Sequence, residues 1–269
     1  MKRFLLDPTK AAGDKYSPVV VTPSALARVA SSAQTLRKAM EISARLESDS
    51  YTSYVTEFYR RGLEMAGENW QFMDIVSVLY AAAAMGQPEN YLEIGVRRGR
   101  TACAVVAGCP SVDIYAFDKW QEGYANNENP GPALVKAELA KCGHAGAVTF
   151  VDGDSHKTIP EFMATNRDLT FDLITVDGDH SIAGAMDDLR HVAPRLRVGG
   201  VLVFDDTANP YCPGLMRVWE KFLDSVPDLA GYSYNEAGTG ISFAIRLGTP
   251  RRSLGTDSRK SKGLRRLWA

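Results

Sequence analysis

Leu92-Glu-Ile-Gly-Val-Arg-Arg-Gly-Arg-Thr101 is the stretch from which the organisation of this 269-residue chain can be read. The apolar run at 91–94 is short and stops at Gly95, and a helical pattern begins at Thr101, so the segment describes a buried strand turning directly into a helix. Gly95 and Gly99 let the backbone approach a ligand, and the first turn of the helix offers unpaired N–H groups. A lone G-x-x-x-G is a weak signal. It is not the dinucleotide pattern G-x-G-x-x-G, because Arg97 occupies the middle glycine position.

The same grammar recurs downstream. Short apolar runs at 114–117, 148–151, 171–176 and 201–204 alternate with helical stretches at 101–107, 132–141, 157–165 and 182–193. That alternation predicts βαβ units around a mostly parallel, buried sheet. A further helix at 214–225 precedes runs at 232–235 and 241–246, and the Glu-Ala-Gly-Thr-Gly link between them predicts a closing antiparallel hairpin.

Upstream, residues 1–23 mix Lys, Asp, Gly and Pro without apolar period and are expected to form an arm. From 24 to 47, Leu26, Val29, Ala30, Ala33, Leu36, Ala39, Met40 and Leu46 recur at helical steps, predicting one amphipathic helix with Ser24 as its N-cap. That helix could pair across a dimer or cap its own domain, so a homo-oligomer stays open. Helical patterns follow at 58–66 and 71–85; the apolar run in the latter is too short to cross a bilayer and is expected to be a buried helix.

Hydrophobic residues make up 45% and charged residues 23%, which excludes a collagenous, mucin-like or wholly disordered chain. Lys plus Arg number 31 against 32 Asp plus Glu, so no global basic field draws the chain to nucleic acid or anionic membrane, and neither partner is expected. The charge is uneven: residues 250–269 carry seven cations against one anion, which sets a basic, disordered tail apart from an acidic body. Cys103, Cys109, Cys142 and Cys212 show no metal or CxxC spacing, and the first ten residues lack a signal-peptide run, so a reducing cytoplasm is the expected location.

In open α/β sheets, ligands bind where the strands end, and here those ends are rich in acids. The second strand runs into Asp118, with Trp120 close by; an acid there can take both ribose hydroxyls, or cap a loop. The third ends in Asp154-Ser155, which could read a base edge or cap the next helix. The fourth ends in Asp177-Gly-Asp179-His180 and the fifth in Asp205-Asp206. Adjacent parallel strands would bring Asp177, Asp205 and Asp206 together, and carboxylates that close either protonate or bind a hard cation such as Mg²⁺. His180 beside them could take a proton from a substrate hydroxyl. His144, His156 and His191 show no partner pattern and receive no role.

Taken in order, the 92–101 motif, Asp118, Asp154-Ser155, Val176-Asp-Gly-Asp-His180 and Gly199-Gly-Val-Leu-Val-Phe-Asp-Asp206 resemble class I S-adenosylmethionine-dependent methyltransferases over 71–247. Within that superfamily the chain looks most like the metal-dependent small-molecule O-methyltransferases of the macrolide-sugar and catechol/caffeoyl-CoA types. Gln71-Phe72 resembles the caffeoyl-CoA type, and Phe117-Asp-Lys-Trp-Gln-Glu-Gly123 resembles a turn of the sugar type.

The resemblance implies an α/β, Rossmann-like, doubly wound sheet of seven strands, mostly parallel with an antiparallel last strand, plus an N-terminal helical extension. It divides the chain into an arm and helical cover over 1–70, a methyltransferase domain over 71–248 and the tail over 249–269. By the same resemblance Glu93, Gly95, Gly99 and Thr101 hold the methionine part of S-adenosylmethionine, Asp118 the ribose, and Asp154 with Ser155 the adenine, Asp177 adjoining the cofactor. Asp177, Asp205 and Asp206 match the positions of Mg²⁺ or another hard divalent cation. His180 stands where catechol-type enzymes place a catalytic lysine, a departure that makes Asp179 a rival base. The implied reaction is direct methyl transfer to a hydroxyl of a small-molecule acceptor. A metal-independent N-, C- or macromolecule methyltransferase, a non-catalytic cofactor-fold binding module, and a nicotinamide oxidoreductase stay open as rivals.

Overall fold

β1 (Asn90–Ile94) lies between β2 (Asp113–Asp118) and β4 (Phe171–Val176) and pairs parallel with each, Leu92 standing opposite Tyr115 on one side and Ile174 on the other. Tyr91 faces one hydrophobic cluster while Leu92 and Ile94 face a second, the alternation of a strand buried on both sides. The structure is a computed structural model and describes residues 19–123 and 130–248. With β3 (Val148–Asp152), β5 (Leu196–Asp205), β6 (Leu229–Tyr234) and β7 (Ile241–Arg246) the sheet has seven strands in the order β3-β2-β1-β4-β5-β7-β6. Only β7 runs antiparallel, pairing with β5 and β6, so the doubly wound sheet and its closing hairpin are as expected.

Helices cover both faces. α1 (Pro23–Ala30), α2 (Ala33–Ser43), α4 (Ile75–Gly86), α5 (Arg100–Gly108) and α6 (Pro132–Lys141) bury residues in the first cluster, joined by Tyr59 of α3 (Ser50–Ala66). The second cluster lies under α7 (Ser155–Thr165), α8 (Ile182–Val192) and α9 (Leu215–Ser225). α4 is the expected buried helix, started by a reciprocal cap between Asp74 and Ser77. Among the described residues no helix is long and apolar enough to cross a membrane.

The single helix expected over 24–47 is two. Ser32 Oγ accepts from Thr35 N at 3.3 Å and donates to the Val29 carbonyl at 2.8 Å, and Thr35 Oγ1 donates to the same carbonyl at 2.7 Å. These hydroxyls offer the backbone partners other than the helical ladder and break it in mid-pattern. The apolar period runs on across the break because both helices face one core, with Leu26, Ala30, Leu36 and Ala39 all wholly buried. Thr22, not Ser24, caps α1, with Pro23 in the first turn. α1 and α2 therefore cover their own domain.

The strand expected at 201–204 is also longer, beginning at Leu196. Its pairing with β4 shifts register between Phe171 and Leu173, next to Gly199-Gly200, which interrupts the apolar run. The arm up to residue 18, the basic tail from 249 and residues 124–129 of the loop after β2 lie outside the described residues.

Ser32→Ala should lower unfolding free energy by about 1 kcal/mol through loss of the α2 cap. Ser24→Ala, at an exposed position, should stay within about 0.5 kcal/mol. Urea unfolding of the two variants checks the break, and equal stabilities would contradict it.

Candidate functional site

The carboxyl ends of β1, β2, β4 and β5 open into one cleft of about 440 Å³, where the strand order reverses and open α/β sheets take their ligands. Gly95, Thr101, Asp118, Asp154, Ser155, Asp177, Asp179, His180, Asp205 and Asp206 all line it, whereas Glu93 and Gly99 lie behind its wall.

The turn after β1 is held by its neighbours. Gly95 N donates to Phe117 O and Asp177 N to Ile94 O, both at 2.9 Å. Gly95 has φ +87°, and a Cβ there would sit 1.9 Å from the Asp177 carbonyl oxygen, so close strand approach alone requires glycine. Gly99, φ +75°, is the N-cap of α5, and its Cβ would press on Val135 at 2.8 Å.

Asp118 ties this turn to the next. Its Oδ2 accepts from Arg97 N at 2.8 Å and its Oδ1 from Trp120 N at 2.6 Å, and the residue lines the cleft. Trp120 stays out of the cleft wall: its ring packs on Phe150 and its Nε1 donates to Asp152 at 2.7 Å. Glu93 is wholly buried and accepts a hydrogen bond from Thr101. Burial pushes its carboxyl up to about 8, against the pull of the Thr101 and Tyr91 hydroxyls.

At the other flank Asp154 is the N-cap of α7, accepting from His156 N at 3.1 Å, and it also lines the cleft, so the capping and ligand readings coexist. His156, to which the sequence assigned nothing, lines the cleft too; its Nδ1 lies 3.2 Å from Asp154, and its Nε2 lies 3.8 Å from both Asp179 and Asp188. Asp179 accepts from Ser181 N at 2.8 Å and packs against Gly184, which braces the start of α8.

The acids at the ends of β4 and β5 line one side of the cleft with His180. His180 Nε2 lies 3.2 Å from Asp177 Oδ1 and 3.5 Å from Asp206 Oδ2. Hydrogen bonding to Asp177 raises the imidazole above its ordinary value. Burial raises Asp177, countered by His180 and reinforced by Asp206, and burial with its two acidic neighbours raises Asp205 strongly. Neighbouring carboxylates of this kind attract a divalent cation, but Asp177, Asp205 and Asp206 are not the group whose ligand atoms converge. The three ligand atoms that lie within 4.8 Å of one another belong to His180, Asp206 and Cys212. Cys212 was not foreseen, because ligands at 180, 206 and 212 leave two different strands and share no motif spacing.

Tyr51, Arg97 and Arg100 were also missed. The Tyr51 ring of α3 lies over both guanidinium groups, 5.8 Å from Arg97 and 4.9 Å from Arg100, and all three line the cleft. The arginines sit inside the 92–101 motif, but the aromatic that covers them comes from the N-terminal helices.

Residues 92–207 match the family described as Methyltransferase domain. No curated protein matches the chain. Among solved structures it is similar to the O-methyltransferase TomG from Streptomyces achromogenes, involved in tomaymycin synthesis and in complex with S-adenosylmethionine. That likeness has 19% identity over 76% of this chain and 92% of that one, with a TM-score of 0.53. The S-adenosylhomocysteine-bound methyltransferase PaMTH1 of Podospora anserina is similar at 16% identity over 79% of this chain and 87% of that one, TM-score 0.50. These likenesses concern the fold. Residues 92–207 thus match a methyltransferase domain, and the strand order of the sheet accords with that match.

Unfolded Glu93 has an ordinary value of 4.5, so between there and about 8 the folded chain holds a proton that the unfolded chain has lost. Stability should therefore fall as pH rises through that window. Glu93→Gln, which keeps the acceptor for Thr101, should flatten the fall; parallel slopes of melting temperature against pH for variant and parent would refute it. Thr101→Val should cost roughly 1–3 kcal/mol by stranding the buried carboxyl, measurable by urea unfolding.

Proposed function

We propose that the chain transfers the methyl group of S-adenosylmethionine to a hydroxyl oxygen of a small molecule, assisted by a divalent cation. What supports this reading is that one cleft gathers Asp118, Asp154 and Ser155 at one flank and Asp177, Asp205 and Asp206 with His180 at the other.

On this reading Asp118 and Asp154 with Ser155 fix the nucleoside, while Gly95, Gly99 and the Glu93–Thr101 pair shape the wall against the methionine part. Asp118 serves two ends, since the carboxylate that receives ribose also clamps the turn carrying Arg97. S-adenosylmethionine, when bound, would supply an electrophilic methyl on a sulfonium, and Asp177, Asp205 and Asp206 would hold Mg²⁺ or another hard ion, whose chemistry there would be to lower the pKa of an acceptor hydroxyl. His180, or Asp179 beside it, takes the proton from the acceptor oxygen. The walls hold the oxygen in line with the methyl and exclude water, and positioning supplies much of the rate.

The helices between residues 23 and 70 cover the acceptor side through Tyr51, and the domain from residue 71 binds the cofactor. A cytoplasmic location accords with four free cysteines.

S-adenosylmethionine and S-adenosylhomocysteine should each raise the melting temperature, and NADH should not. Asp177→Ala should cut methyl transfer to a panel of catechols and sugars by roughly 10²-fold or more while retaining stabilisation by S-adenosylhomocysteine. Full activity in that variant, or activity untouched by EDTA, would overturn the cation-assisted reading.

A further inference from the structure

The loop that leaves β5 reads Asp205-Asp-Thr-Ala-Asn-Pro-Tyr-Cys212-Pro-Gly214. It reverses at once. Asp206 takes φ +62°, in the left-handed region that Asp enters more readily than most residues. Two consecutive turns follow, Asn209 N donating to Asp206 O and Cys212 N to Asn209 O, both at 3.1 Å. The Asn209 side chain accepts from Tyr211 N at 2.9 Å and stiffens the second turn. The loop therefore brings Cys212 back over the strand end it has just left.

His180 reaches the same place from β4, with Nε2 3.5 Å from Asp206 Oδ2. One nitrogen, one carboxylate oxygen and one sulfur thus lie within 4.8 Å of one another; His180 and Asp206 line the cleft, and Cys212 approaches them from the second hydrophobic cluster. Ligand atoms around a tetrahedral ion with bonds of about 2.0–2.3 Å lie about 3.5 Å apart, the separation already found between His180 Nε2 and Asp206 Oδ2. The donor types are mixed: an imidazole and a thiolate favour borderline ions such as Zn²⁺, whereas Mg²⁺ and Ca²⁺ take oxygen.

From these observations we infer that His180, Asp206 and Cys212 form a three-ligand site for a borderline divalent cation of the Zn²⁺ type, its fourth position open to the cleft. Three protein ligands with one open position is the arrangement by which such an ion meets a substrate oxygen. The inference rests on the cation-assisted reading above but changes its ligand set: of the three aspartates only Asp206 is kept, the ion is borderline instead of hard, and a ligating His180 is not free to take the acceptor proton.

Cobalt substitution tests it without an acceptor. Full-length protein stripped with chelator and titrated with Co²⁺ should develop a thiolate-to-cobalt charge-transfer band and intense tetrahedral visible bands. Zn²⁺ should displace both at equal concentration, whereas Mg²⁺ should displace neither. Cys212→Ser should remove the charge-transfer band, Cys212→Ala should repeat the result, and both should keep the far-ultraviolet circular dichroism and the stabilisation by S-adenosylhomocysteine. His180→Ala should weaken Co²⁺ binding by roughly tenfold or more. Absence of a thiolate band, its survival in both Cys212 variants, or displacement by Mg²⁺ would overturn the inference. Methyl transfer that requires Mg²⁺, without a thiolate band, would sink this site and leave the function standing. A thiolate band in a protein that transfers no methyl group would do the reverse.

Discussion

The backbone contact between Gly95 and Asp177 governs the carboxyl edge of the sheet. β1 and β4 come so close there that no side chain fits between the Gly95 Cα and the Asp177 carbonyl. The same residues knit three strands, since Gly95 N bonds to the end of β2 and Asp177 N to the end of β1. Asp118 and Asp177 are therefore delivered to the two sides of one turn, and the cleft is the space left where the chain must diverge from that contact. The glycines of the motif owe their presence first to packing. A ligand uses the opening that the packing creates.

Charge is distributed across that opening in a way that stability alone would not select. Asp177 and Asp205 are raised by burial and by their acidic neighbours, and His180 stands beside Asp177 and Asp206. Arg97 and Arg100 lie under the Tyr51 ring. Arg97 is engaged with Asp49, the residue that caps α3, at 3.3 Å. Like charges held close without compensation store unfavourable energy, and such clusters concentrate at functional sites because a bound ion or substrate relieves them. Glu93 adds a buried carboxyl of the same kind one layer below.

The N-terminal helices complete the domain. α1 and α2 bury Leu26, Ala30, Leu36 and Ala39 in the core that α4, α5 and the sheet share. Asp49 then starts α3 and meets the side chains of Arg97 and Arg98 from above. A cap residue in the cover thus touches the motif loop. Cover and cofactor-side turn are coupled through this ion pair, and the aromatic nearest the arginines comes from the cover.

The sequence by itself determined the sheet, its hairpin and the acids at the strand ends. Period-two burial and strand-end position are local properties that each segment carries alone, so the run at 91–94 and Asp118, Asp177 and Asp206 could be placed without knowing their neighbours. The division of 24–47 into two helices was concealed because Ser32 breaks the backbone while the apolar stripe continues. Only the tertiary structure decided the meeting of His180 with Asp206 and Cys212, of Tyr51 with Arg97 and Arg100, and of His156 with Asp188. Apart from Asp206 and Cys212, which share one loop, these groups stand on different elements, and which of them touch is set by strand order and loop reversal, quantities to which no single segment's pattern refers.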